Sequence, residues 1–195
     1  MHKSIEMNDL NQSISAYFDT ELNQSNDIAK MFFQEKLERN ELHTELGTRF
    51  GKLSFVKSGF LRIYRQTDKK EITQWISSPG EFVTDLNTLM FDQTARWNIQ
   101  ALTDCEIYTM DYQTYKTINE HISNWAEIEK LFIAKCFMTI EDRIFSFLSM
   151  SSEERYEYLS QTKPHLLQHI PLQYLASMLG MTPETLSRIR KKIIS

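Results

Sequence analysis

The chain has 195 residues and a formal net charge of −4, with 41% hydrophobic and 25% charged residues. That size suits one or two domains, and the composition excludes disordered, collagen-like and disulfide-framework chains. The opening Met1-His2-Lys3-Ser4-Ile5-Glu6 lacks the apolar stretch of a secretory signal, and no segment reaches the ~18 apolar residues of a membrane span, so a cytoplasmic protein without a membrane partner is expected.

Residues 1 to about 33 carry apolar groups at Ile14, Tyr17 and Phe18, then Ile28, Met31 and Phe32, the spacing of short amphipathic helices. From about 34 to 110 the period falls to two, as at Leu53 and Phe55 or Leu61 and Ile63. Turn signals separate these runs at Ser58-Gly59, Thr67-Asp68-Lys69-Lys70 and Ser78-Pro79-Gly80, which predicts an antiparallel sandwich or barrel. The last strand pair is expected at residues 97–102 and 106–110.

Asp111 is a predicted helix N-cap, because its carboxylate can accept from the free N–H groups of a first turn. No Pro or Gly interrupts residues 112–150, so one long helix or two joined by an uncapped bend is expected there. Its apolar stripe is wide enough for one side to cover the sandwich while the other meets a second chain. A single buried helix is the plainer alternative. Ser151 with Glu154 three residues on forms a capping box, and Lys163-Pro164 ends that helix.

The most informative stretch is Pro171 to Ile193. Pro171 suits a first helical position, and Leu172, Leu175, Ala176 and Leu179 share a face. Gly180 follows as a left-handed C-terminal residue, Met181 plugs the gap, and Thr182-Pro183 starts a second helix with Leu186, Ile189 and Ile193 inward. This grammar is that of a helix–turn–helix, whose second helix enters the major groove of DNA. On its outer face Arg188 can pair with guanine O6 and N7, and Glu184 with cytosine N4. Gln173, Thr182 and Thr185 are placed for phosphates, with Pro183 and Ser187 on the same surface, and Lys191 and Lys192 add salt-dependent attraction. A hairpin that only packs is the alternative. Charge favours the DNA reading: residues 161–195 carry +4 and residues 1–160 carry −8.

The segment Ile170 to Lys192 closely resembles the DNA-binding end of the Crp/Fnr superfamily of bacterial transcription regulators, in its Bacteroidetes-type branch. The resemblance continues upstream in residues 55–64, 80–86, 101–107 and 153–156. It implies an α+β protein with an N-terminal antiparallel β-roll (cyclic-nucleotide-binding-like, a double-stranded β-helix) with flanking helices. A long dimerisation helix and a C-terminal all-α helix–turn–helix domain would follow. Expected bounds are residues 1–138 for the sensor domain, including a dimerisation helix at about 112–138, and 139–195 for the DNA-binding domain. The implied partners are double-stranded DNA with a pseudo-palindromic site, a second copy of the chain and RNA polymerase. Trp125, Ile128, Leu131 and Phe132 are the expected dimer contacts.

An effector pocket would involve Phe82, Thr84, Asp85, Arg96 and Ile128. The family's phosphate cassette is only half kept: Gly80-Glu81-Phe82-Val83 is present, but Thr84-Asp85 replaces the second Gly-Glu. Its arginine position falls on Ala95, with Arg96 in the neighbouring slot, expected to face away. Ile128 and Glu129 stand where hydroxyls would meet the base. An effector other than cyclic AMP, or none, is therefore expected; a surface ion pair is the plain reading of Asp85 and Arg96. None of the five histidines lies in the Leu53–Met110 region, so a metal-dependent cupin enzyme is not expected, nor is a metal or cofactor. No GxGxxG, phosphate loop, nucleophile elbow or kinase signature occurs, and no enzyme activity is expected. The alternative function is a ligand- or partner-binding β-roll protein whose helix–turn–helix serves assembly only. The sequence stops at Ser195, so β-wing contacts to phosphate are not expected.

Overall fold

The computed structural model describes residues 2–18 and 21–194. Two helices open the chain, α1 (His2–Phe18) and α2 (Leu22–Ala29). Eight strands follow: β1 (Phe33–Leu37), β2 (Leu42–Thr44), β3 (Lys52–Ser58), β4 (Leu61–Gln66), β5 (Glu71–Ser77), β6 (Phe82–Thr84), β7 (Asn98–Ala101) and β8 (Cys105–Asp111). A short helix, α3 (Leu86–Phe91), lies between β6 and β7. The strands form two antiparallel four-stranded sheets, β1-β8-β3-β6 and β2-β7-β4-β5. Alternation in period two drives this closure: Val56, Leu61, Val83, Ile99 and Ile107 point between the sheets and are almost fully buried.

Gly59 makes the β3–β4 turn with φ +85°, and a Cβ there would lie 2.5 Å from the Asp104 carbonyl oxygen and 2.5 Å from the Cys105 Sγ. The turn therefore needs glycine on both conformational and steric grounds.

Asp111 caps α4 (Tyr112–Thr117), accepting from the Thr114 N–H at 2.8 Å. Of the two arrangements expected for residues 112–150, the structure has the divided one. A 3-10 turn (Ile118–Glu120) and a non-helical His121–Asn124 segment separate α4 from α5 (Trp125–Ser149). Ile118 and Ile122 enter the core at the break, so burial rather than a Pro or Gly sets it. The 25-residue α5 then crosses the expected 138/139 boundary without interruption.

The inner face of α5 covers the β3/β8 side of the roll. Trp125, Ile128 and Phe132 join Leu10, Ile14, Phe18 and Ile28 of the N-terminal helices in one core. Phe18 stacks on Phe132 at 4.8 Å, and Phe82 meets Phe18 edge-on at 5.3 Å.

The C-terminal helices are α6 (Ser152–Thr162), α7 (Pro164–His169), α8 (Leu172–Met178) and α9 (Pro183–Ile194). Ser151 and Glu154 complete the capping box, and Lys163 ends α6 as the sequence indicates. Pro171 is the N-cap of α8 rather than its first residue: its ψ of 137° is extended, while its carbonyl accepts from Tyr174 and Leu175. These helices share a core with Phe60, Ile76 and Leu102 of the roll.

Candidate functional site

Two surfaces carry chemistry. The first is built by α8, a tight turn and α9. Leu175, Ala176, Leu179, Leu186 and Ile189 are buried between the helices and their supports. Gly180 has φ +68°, and the two bonds of a Schellman turn close α8: Met181 N–H to Ala176 O at 2.9 Å and Gly180 N–H to Ser177 O at 3.1 Å. Thr182 caps α9, its hydroxyl accepting from the Thr185 N–H at 3.2 Å. Ile193, expected inward, is 46% exposed.

The outward face of this pair carries Gln173, Pro183, Glu184, Arg188, Lys191 and Lys192, all exposed, with Thr185 and Ser187 half-buried. Arg188 lies against its own helix, donating to Thr185 Oγ1 at 3.4 Å. Lys192 reaches across to α6 and pairs with Glu153 at 2.9 Å. Glu184 sits in the first turn of α9, where its own backbone N–H and the Thr182 hydroxyl hold its carboxyl below the usual carboxylate range.

Two arginines anchor this pair to the rest of the chain. Arg143, on α5, donates to the Met178 carbonyl at 2.7 Å; Arg155, on α6, donates to the Leu179 carbonyl at 3.0 Å and the Met150 carbonyl at 2.8 Å. They satisfy the Met178 and Leu179 carbonyls at the C-terminal end of α8 and the Met150 carbonyl at the end of α5, where cations are favoured. Both guanidiniums flank the Phe147 ring, at 5.1 and 4.9 Å, and that ring abuts the Gly180 turn. Burial pulls the Arg143 pKa down to about 10.

The roll meets the same helices directly. Arg62 is buried, bonded to Thr73 at 2.9 Å and Glu71 at 2.7 Å, and lies between the rings of Tyr64 and Tyr174 at 4.2 and 4.0 Å. The Thr73 N–H donates to Ser177 Oγ at 2.9 Å. Lys163 pairs with Glu81 and lies 4.3 Å over Trp75, while His165 bonds Ser78 at 3.0 Å. None of this junction was legible in the sequence, since its partners are some 80 to 110 residues apart.

The second surface is a cavity of about 1060 Å³ between the roll, α5 and the C-terminal helices. Phe82, Thr84, Asp85 and Arg96 line it as the sequence suggests. Ile128 does not: it is buried in the α1/α5 core, one helical turn before Phe132 reaches the wall. Arg96 contributes to the lining of this cavity and is exposed; it precedes β7, so the strand's alternation does not govern it.

Asp85 forms no surface ion pair. It is 3% exposed, and its carboxylate accepts four backbone N–H groups. Oδ1 takes Asn87 at 3.0 Å and Thr88 at 3.2 Å; Oδ2 takes Arg96 at 2.8 Å and Trp97 at 3.1 Å. It thus caps α3 and pins the segment before β7, consuming N–H groups that an anionic ligand could otherwise use.

The expected dimer contacts also need correction. Trp125, Ile128 and Phe132 are each no more than 3% exposed and belong to the chain's own core. Only Leu131, at 43%, faces outward. The outward face of α5 continues through Ala134, Met138, Glu141, Phe145 and Leu148, with alternating spacings of three and four. The apolar period alone did not reveal which of the two stripes the roll would cover.

No three His, Cys, Asp or Glu side chains gather as a metal site among the described residues, and no described helix is long and apolar enough to cross a membrane.

Residues 34–120 match the cyclic nucleotide-binding domain family. No curated protein matches the chain in sequence. Solved structures with similar folds include a CooA variant of Carboxydothermus hydrogenoformans, with TM-score 0.62 and 20% identity over 84% of this chain and 76% of that one. The c-di-GMP-responsive global regulator CLP of Xanthomonas campestris gives TM-score 0.68 and 17% identity over 89% and 91%. FixK2 of Bradyrhizobium japonicum gives TM-score 0.70 and 16% identity over 83% and 84%.

Proposed function

We propose that this chain, which has the fold of the Crp/Fnr transcription regulators and carries a cyclic nucleotide-binding domain at residues 34–120, is a homodimeric, sequence-specific DNA-binding regulator. The observation that carries this reading is the α8–Gly180–α9 geometry with its exposed outer face of Arg188, Lys191 and Lys192. An α-helix with such a face fits the major groove, where Arg188 would read guanine and the lysines would neutralise phosphates. The cytoplasm is its compartment, and a regulator needs no catalytic residues.

The domain division follows the same reading: sensor roll first, α5 as the dimerisation helix, and the DNA-binding helices after it. The heptad-like stripe Leu131, Ala134, Met138, Glu141, Phe145 and Leu148 supports self-association along α5. A symmetric dimer would suit a pseudo-palindromic site with half-sites about one helical turn apart, ~34 Å. RNA polymerase is the partner such a regulator would address.

The pocket favours an effector other than cyclic AMP, or none. Asp85 occupies the N–H groups at the start of α3 and before β7, and Ala95 stands in the family's arginine position. Calorimetric titration with cyclic AMP and cyclic GMP is expected to show no binding; micromolar binding lost in Arg96→Ala overturns this.

Fluorescence anisotropy on duplexes selected from a random pool tests the main reading. Selected DNA should bind at least about a hundredfold tighter than random DNA, and Arg188→Ala should remove about tenfold or more of that preference. Equal binding of the two pools, unchanged by Arg188→Ala, favours a roll whose terminal helices serve assembly only.

A further inference from the structure

Helices α5 and α6 are joined by two residues, Met150 and Ser151. Met150 ends α5 with ψ 140° and Ser151 caps α6 with ψ 169°, so both are extended. Such a joint, with only its own φ and ψ to hold it, is the ordinary make-up of a hinge. Here the hinge is bridged. Arg155, in the first turn of α6, sends Nη1 back to the Met150 carbonyl at 2.8 Å, Nη2 to Ser152 Oγ at 3.3 Å and Nε to the Leu179 carbonyl at 3.0 Å. Arg143, about two turns before the end of α5, sends Nη2 to the Met178 carbonyl at 2.7 Å, a bond that joins α5 to α8 without using the hinge.

Phe147 lies between the two guanidiniums, and a Cβ at Gly180 would fall 2.5 Å from its Cε1, so the α8–α9 turn rests directly on α5. The same stretch of α5 carries the outward apolar stripe. At about 100° per residue, the exposed Phe145 stands about 200° around the helix from Arg143. The self-association stripe and the clamp on the helix–turn–helix are therefore opposite faces of one continuous helical segment.

We propose that Arg143 and Arg155 are positioning residues that lock the α8–α9 pair to α5, and that the chain thereby discriminates DNA sites by the spacing between their half-sites. This rests on the dimeric DNA-binding reading and deepens it. In a two-fold dimer joined along α5, the link from α5 to α8 sets how far apart the two α9 helices stand and how freely that distance varies. One added base pair shifts a half-site by about 3.4 Å and turns it by about 35°. A locked pair cannot follow that change; a hinged pair can, and then loses the freedom of the hinge on binding. Arginine suits the task because its fork of donors lets Arg155 hold the Met150, Ser152 and Leu179 oxygens together.

The test uses duplexes with two copies of the selected half-site at the preferred spacing, one base pair longer and one shorter, and a duplex with a single half-site. Binding to the full chain is read by fluorescence anisotropy. The wild type should lose about thirtyfold in affinity for either change of spacing. Arg155→Met, which keeps the length of the side chain without its donors, should lose only about threefold from its own best spacing, with single half-site affinity within about twofold of wild type. Arg143→Met should act in the same direction, and Arg143→Lys, which still offers a donor to the Met178 carbonyl, should return the wild-type profile. Should the methionine variants lack a cooperative melt, Arg155→Lys takes their place, with a loss of about tenfold expected. Variants that melt earlier yet keep the sharp spacing profile overturn the proposal, because the arginines then only stabilise the fold. A wild type indifferent to spacing overturns it without any variant. A chain that binds the single half-site no tighter than random DNA instead refutes the DNA-binding reading, and the proposal with it.

Discussion

Acid destabilisation through His43 is a sharp test of how the roll is held together. His43 is 6% exposed; its Nδ1 meets Thr44 Oγ1 at 2.9 Å and its Nε2 meets Ser54 Oγ at 2.8 Å. The chain continues from Ser54 to Thr109 at 2.9 Å, from Thr109 to Glu35 at 2.9 Å, and from Glu35 to Lys52 at 3.1 Å. Burial, and then the nearby Lys52 charge, lower the imidazole pKa from 6.5 to about 4, with Glu35 opposing. The folded protein thus binds this proton less readily than the unfolded chain does. Stability from this site is complete above the unfolded value and falls as pH drops through 6.5, levelling off below about 4. Between pH 7 and pH 5 the loss is roughly 2 kcal/mol. With a urea slope near 2 kcal/mol/M, the midpoint should fall by about 1 M. The assay is urea unfolding followed by tryptophan fluorescence at fixed protein concentration, for the wild type and His43→Asn. The variant should be less stable at pH 7 but should lose roughly 2 kcal/mol less between pH 7 and pH 5. Equal losses in the two proteins would refute the reasoning, because a buried, neutral imidazole would then contribute nothing to the pH dependence.

Three further outcomes follow from the geometry. Gly59→Ala should destabilise by about 3 kcal/mol or more, combining left-handed strain with contacts at 2.5 Å to Asp104 and Cys105, and a thermal melt unchanged from wild type would contradict it. Ser151→Ala removes one half of the capping box and should cost about 1 kcal/mol by chemical denaturation, whereas no loss would mean that α6 is held by packing alone. Phe145→Asp alters a side chain that is 67% exposed, so the fold should survive while the proposed self-association along α5 weakens about a hundredfold or more in sedimentation equilibrium. An unchanged dimer would remove α5 as its seam.

Much of the architecture follows from local chemistry, and local chemistry is written in short segments. The capping box at Ser151, the cap at Asp111, the Gly180 turn and the Thr182-Pro183 start each depend on a few adjacent residues, and each lies where the sequence indicates. The period-two runs likewise mark the strands, because alternation is a property of one strand before any partner arrives. The break at His121–Asn124 has no Pro or Gly to place it, so the sequence leaves one helix and two helices with an uncapped bend equally open. Helix α3 was missed, its cap being an Asp85 that equally resembles a ligand-binding acid.

The sequence by itself determined the order of roll, long helix and terminal helix pair, and the cationic outer face of α9. Tertiary structure alone decided which stripe of α5 is buried, since Trp125, Ile128 and Phe132 find their partners in α1 and the roll while Met138 and Phe145 stay exposed. It also decided that Asp85 serves the backbone instead of a ligand, and that α8 docks on the roll, Ser177 against Thr73 of β5 and Tyr174 against Arg62 of β4. The physical reason is the same in each case. A side chain's type limits what it can bond, but which partner it meets depends on residues far away in sequence that only the closed fold brings within hydrogen-bond or van der Waals reach.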